Sequence, residues 1–165
     1  MIGGPNTTVE IDESLFSRRK NHAGRILPQQ WLLGGICRET RECFMETVPD
    51  RSAATLLPII INQVRPGTTI ITDEWRAYRR LAVSGFAHLT VNHKYNFVDP
   101  QSEAHTQNIE RAWRSPKDEN RQMNGTDRNF IDSYLCEHIW GTRLNGRDPF
   151  DAILDDIAGF LSSEN

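Results

Sequence analysis

The chain has 165 residues, 38% of them hydrophobic and 25% charged, the balance of one soluble globular domain long enough to bury a core. Its longest apolar runs, such as Leu56–Ile61 with Pro58 inside, are far too short to cross a bilayer, and the opening MIGGPNTTVE has no signal-peptide character. A net charge of −3 argues against an indiscriminate nucleic-acid binder, and three cysteines without CxxC or Cys/His spacing favour a reducing compartment over a zinc site or disulfide framework.

In chain order, TTVEIDES sets Val9 and Ile11 against Glu10 and Asp12, the alternation of a strand with one buried face. Ser17–Arg25 reads as a basic loop. Trp31–Arg38 and Glu42–Val48 are two more strands around the polar turn at Glu39-Thr40-Arg41, so the first three strands predict an antiparallel meander. Ser52 is placed to cap a helix carrying Leu56, Leu57, Ile60 and Val64, in which Pro58 predicts a kink or a late start. Thr68–Thr72 is a β-branched strand ending at Asp73 and Glu74; a short helix and the strand Ala87–His93 follow. Helices are then expected from near Thr106, from Asn129 to Thr142 with Phe130, Tyr134, Leu135, Cys136, Ile139 and Trp140 on the apolar side, and from Pro149 to Leu161. The expected division is a domain over 1–147 and an acidic C-terminal helix, 148–165, packing on it. That last segment carries five of the 22 acids and no Lys or Arg, leaving 17 acids against all 19 basic residues before it, a net of +2.

A meander followed by alternating helix and strand predicts that the later strands join in parallel, as a mixed five-stranded sheet flanked by helices. That order matches the ribonuclease H-like fold. There the first and fourth strands are neighbours, so Asp12 and Asp73 would stand side by side. Because successive strand residues point to opposite faces, only one of each pair Asp12/Glu13 and Asp73/Glu74 can enter a shared site. Glu110, on a helix, is the candidate third carboxylate, and Lys117 lies two turns further on, on the same face if the helix is regular. Three carboxylates suit Mg²⁺, a hard ion that also takes water and phosphate oxygens. Spacing alone equally allows Asp12 as a turn residue, Asp73 as a helix cap and Glu110 as an i,i+4 partner of Arg114.

Six segments in order, VEIDES, VPDRSAATLLPII, PGTTIITDEWRAY, LTVNHKYNFVDP, HTQNIERAW and YLCEHIW, resemble DDE transposases of the insertion-sequence type, and most closely the Merlin group and its bacterial relatives with the ISXO2-like transposase domain. The resemblance runs from Val9 to Trp140. It implies a ribonuclease H-like catalytic domain with Asp12, Asp73 and Glu110 as metal-binding triad, Lys117 as the basic residue on DNA phosphate, and two Mg²⁺ or Mn²⁺ ions. The activity implied is metal-dependent cleavage and strand transfer at transposon ends, by a homo-oligomer on DNA. The location implied is the nucleus of a eukaryote, or otherwise the cytoplasm.

Three departures accompany it. Eight residues precede Val9, where relatives place a DNA-binding region; Pro116 is placed to swing Lys117 off the Glu110 face; Gly141 and Thr142 stand where relatives are more basic. A domesticated or inactive module that binds DNA or protein is the alternative. His93 and His105 are read as structural hydrogen-bonding residues near the site. Trp75 and Tyr78 are placed either to stack on an unpaired base or to pack under the next helix, and Trp113, Tyr134 and Trp140 are read as core.

Overall fold

The computed structural model describes residues 1–16, 29–92, 105–123 and 127–163. Ser17–Arg25 and His93 lie outside the described residues. The sheet has the order β3-β2-β1-β4-β5, from β1 (Thr8–Leu15), β2 (Trp31–Cys37), β3 (Cys43–Val48), β4 (Thr69–Asp73) and β5 (Ala87–Val91). β1, β2 and β3 pair antiparallel, while β4 joins β1 and β5 joins β4 in parallel. This is the meander and parallel extension that the ribonuclease H-like fold requires, and β1 is the strand at which the pairing changes sense.

Alternation along β1 divides two cores. Val9 and Ile11 pack with Leu33, Ile70 and the buried Leu56 and Ile60 of α1 (Ala53–Gln63). The other face holds Leu32, Ile36 and Met45 against Ile109, Trp113, Ile131 and Leu135. Each fully buried Leu or Ile contributes roughly 1.5–3 kcal/mol. Glu10, Asp12 and Ser14 share the parity of this second face.

α1 begins at Ala53, with the Ser52 hydroxyl accepting the Thr55 N–H at 3.3 Å. It does not start late. Pro58 sits inside it on the exposed side, where the Ala54 carbonyl that it leaves without an N–H partner can meet water. The expected short helix after Asp73 is two 3-10 turns, Arg76–Arg80 and Ala82–Ser84, segments too brief to propagate an α-helix.

On the second face, α2 (Gln107–Ala112) and α3 (Arg114–Gln122) replace one continuous helix, and α4 (Ile131–Arg143) packs beside them. α4 buries Ile131 and Leu135 with Ile139 packed alongside, while Phe130 is 59% and Tyr134 36% exposed and Cys136 is exposed too. The inward stripe is thus 131/135/139, one position round from the expected Phe130 and Tyr134. α5 (Pro149–Ser163) buries Ala152, and the Trp140 indole of α4 donates to its Asp156 at 2.7 Å. Trp140 is accordingly half-buried rather than core. Among the described residues no helix is long and apolar enough to cross a membrane.

Candidate active site

β1 and β4 run parallel with Glu10 opposite Ile71. Continuing that register by two residues brings Asp12 level with Asp73, near enough for the Asp73 charge to act on the Asp12 carboxyl. Both point to the α2 side, because each shares parity with that register pair. The pairing of β1 with β4 extends no further than Glu10 and Ile71, so the two aspartates stand where the strands part. Crevices of open α/β sheets form at this place, beyond the carboxyl ends of strands where the order reverses.

The Asp12 carboxyl is pushed up from 3.8 to about 7. Burial is the main cause, followed by the charge of Glu13, and the nearby Asp73 adds to it. The Trp113 indole opposes the shift, donating from Nε1 to Asp12 Oδ2 at 3.1 Å. That indole fits because Gly34, the partner of Asp12 across β2, has no side chain: a Cβ there would lie 2.5 Å from Trp113. Sequence reasoning missed Gly34. Its signal was a Gly-Gly pair inside an apolar strand, which marks close approach of a neighbour. Asp73 Oδ1 accepts the Trp75 N–H at 2.9 Å and closes the turn into the 3-10 segment. The cap-like role weighed from spacing is therefore present, alongside the pairing with Asp12.

Glu110 lies on the exposed side of α2, where the Thr106 hydroxyl donates to its Oε1 at 3.1 Å. Among the described residues no three His, Cys, Asp or Glu side chains form a group able to hold one metal ion. Asp12 and Asp73 are thus close enough for their charges to interact, and Glu110 does not join them in one cluster. Lys117 does reach the site's strand: its ammonium donates to the Ser14 hydroxyl, on the Asp12 face. The helix break explains how. The Pro116 ring conflicts with the Ala112 carbonyl, so the helix stops at Trp113 and restarts, and Pro116 falls in the first turn of α3, where its missing N–H costs nothing. Glu110 and Lys117 belong to different helices.

Two further acids on β1 are fully engaged. Glu10, with no exposed surface, accepts from Arg38 Nε (2.7 Å), the Asn108 backbone (2.8 Å) and side chain (2.7 Å), and the Ile109 N–H (3.1 Å). His105 Nδ1 lies 3.4 Å from the same carboxylate, so His105 belongs to this cluster. Across the sheet, Glu13 accepts from Arg51 Nε (2.9 Å) and the Tyr78 hydroxyl (2.6 Å). Arg51 lies over the Trp31 and Trp75 rings, 4.6 and 4.5 Å from their centroids, and its carbonyl accepts the Trp75 indole N–H at 3.0 Å. Trp75 and the buried Tyr78 therefore pack under the turn.

The family model described as the ISXO2-like transposase domain matches residues 4–142. The chain belongs to this family. An uncharacterised transposase-like protein of Haemophilus influenzae is 34% identical over 93 residues, 56% of this chain and 74% of that protein. Among solved structures, the simian T-cell lymphotropic virus intasome in complex with PP2A regulatory subunit B56 gamma superposes with a TM-score of 0.53 at 16% identity, over 87% of this chain and 50% of that one. The chain thus spans half the length of that relative. The magnesium-bound HTLV-2 integrase catalytic core, in its dimeric form, gives 0.50 at 13% identity over 87% and 88% of the two chains. The BIV integrase catalytic core gives 0.51 at 15%, over 93% and 97%. At these identities the likeness is one of fold: the ISXO2-like domain here has a ribonuclease H-like architecture.

Proposed function

We propose that this domain catalyses metal-dependent cleavage and strand transfer of DNA at transposon ends, with Asp12 and Asp73 as the core of its metal site. The juxtaposition of these two carboxylates at the parting of β1 and β4 carries the reading. The donor set fits a hard divalent cation. Two carboxylates stand together, and Asp12 is held protonated near neutrality by burial and the charge of Glu13, a condition that a bound cation relieves. Two Mg²⁺ or Mn²⁺ ions would supply activation of the attacking oxygen and stabilisation of the leaving oxygen in an in-line phosphoryl displacement. Glu110 is the third ligand by the family pattern.

The chain's own groups do the rest. Lys117, docked on Ser14, holds a DNA phosphate as a point charge beside Asp12. Trp113 orients the Asp12 carboxyl through its indole N–H, and the Asp73–Trp75 bond fixes the other carboxyl against the turn. DNA is held chiefly through phosphates, so affinity is weak, little dependent on sequence, and falls with salt. Homo-oligomers assemble on the DNA, in the nucleus of a eukaryotic host or the cytoplasm of a bacterial one.

A binding module without chemistry is the second reading, favoured by the exposed position of Glu110. Product formation on DNA bearing the element's ends separates the two. Cleavage that needs Mg²⁺ or Mn²⁺ and is lost in Asp73→Asn and Glu110→Gln supports the enzyme, whereas activity persisting in Asp73→Asn excludes the site. Lys117→Ala should be milder than either. In parallel, Mg²⁺ at ten times its Kd should stabilise the protein by about 1.4 kcal/mol in thermal melts, and Asp12→Asn should remove that gain.

A further inference from the structure

Glu10 is fully buried, yet neither the sheet nor the proposed chemistry needs a carboxylate there. Four of its five close contacts come from the segment entering α2: both Asn108 groups, the Ile109 N–H and His105 Nδ1. The fifth, Arg38, donates to Glu10 through Nε and to the His105 carbonyl through Nη2 at 2.8 Å, closing the ring of contacts. A single carboxylate on β1 thus fastens the start of α2 to the sheet. It lies one same-face position before Asp12, and the residues it grips immediately precede Glu110. A neutral apolar pair of the same size would hold the helix without fixing its rotation; here Oε2 accepts two successive backbone N–H groups, Asn108 and Ile109, while Oε1 accepts the Asn108 side-chain amide, and together they set both height and rotation.

We infer that Glu10 is a positioning residue, whose clamp on Asn108 and Ile109 sets where Glu110 stands relative to Asp12 and Asp73. This rests on the metal-site reading above.

The test is Mn²⁺ affinity of the whole chain, measured by titration calorimetry, with amide hydrogen exchange over 106–113 as the second readout. Asp12→Asn and Asp73→Asn establish that the site is the one occupied. Glu110→Gln should weaken Mn²⁺ binding about tenfold, and Glu10→Gln by a similar factor, as partners behind a ligand do. The double variant should be no weaker than Glu110→Gln alone, because Glu10 acts through Glu110. Exchange at Asn108 to Ala112 should quicken about tenfold in Glu10→Gln while β1 and β4 stay protected. If Glu10→Gln fails to fold, Asn108→Ala, which keeps the carboxylate and removes one donor, should shift both readouts in the same direction.

Unchanged Mn²⁺ affinity in Glu10→Gln, or losses that add to those of Glu110→Gln, would overturn the inference while leaving the metal site standing. Unchanged affinity in Asp12→Asn and Asp73→Asn would instead remove the site, and the inference with it.

Discussion

The two faces of β1 treat their acids differently. On the α1 face, Glu13 meets an arginine held between two indoles and a tyrosine hydroxyl, and its charge is answered within the protein. On the α2 face, Glu10 is answered as completely, but for the next same-face residue, Asp12, the groups among the described residues that lower its pKa are the Trp113 indole N–H and a backbone contact at Glu13, neither of them a cation. A buried carboxylate with a full set of donors is structural. Asp12, raised to about 7 chiefly by burial and then by the charge of Glu13, is the group that a cation would complete under the proposed function.

The strongest way to break this contrast is Glu13→Ala. It strands Arg51 and the Tyr78 hydroxyl beneath α1 and should cost about 3 kcal/mol, at the low end for broken buried pairs because Arg51 keeps some solvent. The urea midpoint measures it, and a loss below ~1 kcal/mol would erase the distinction between the faces.

Asp12→Asn should act in the opposite direction. The folded carboxyl titrates at about 7 against 3.8 for the ordinary group. Between these values the unfolded chain ionises and the folded one does not, so metal-free stability falls as pH rises through this window and the penalty is complete above it. At pH 8 without metal, Asn should therefore stabilise the fold, by roughly 2 kcal/mol once the partial exposure of Asp12 is allowed for. At pH 4 the two proteins should melt alike with respect to this group. A wild type as stable at pH 8 as at pH 5 would show that Asp12 is not short of charge.

Gly34→Ala probes the indole's seat. The added methyl collides with Trp113 and should cost about 1–3 kcal/mol. Displacing the indole also removes the donor that lowers the Asp12 pKa, so the pH-dependent fall in stability should move upward. An unchanged pH profile would show that Trp113 does not tune this carboxyl.

Much of the fold was legible because strand alternation and helix caps are local signals. Val9/Ile11, the Ser52 cap and the β-branched run before Asp73 each state their own structure, and the strand order followed from them. The adjacency of Asp12 and Asp73 came from topology alone. What escaped depended on neighbours. The sidedness of α4 turns on Ile131 and Leu135 facing Met45 and Leu32, which no helical wheel reveals when Phe130 and Tyr134 form a rival stripe. The break at Trp113 was foreshadowed by Pro116, but its benefit, a proline relocated to a first turn and a lysine delivered to Ser14, required the packing. Glu10 looked like the polar half of an alternating strand. Its role as a clamp exists only because α2 arrives from about a hundred residues away.

Three consecutive same-face residues of one strand, Glu10, Asp12 and Ser14, engage α2, the Trp113 indole and Lys117 in turn. β1 is therefore a ruler with three pegs. A slip of one residue in its pairing would present Val9, Ile11 and Glu13 instead, and all three attachments would vanish together. Misregistered chains would then be distinguishable in kind from native ones rather than in degree. Docking of α2 and α3 acts as proofreading of strand alignment, and the same contacts that assemble the site certify that the sheet beneath it was threaded correctly.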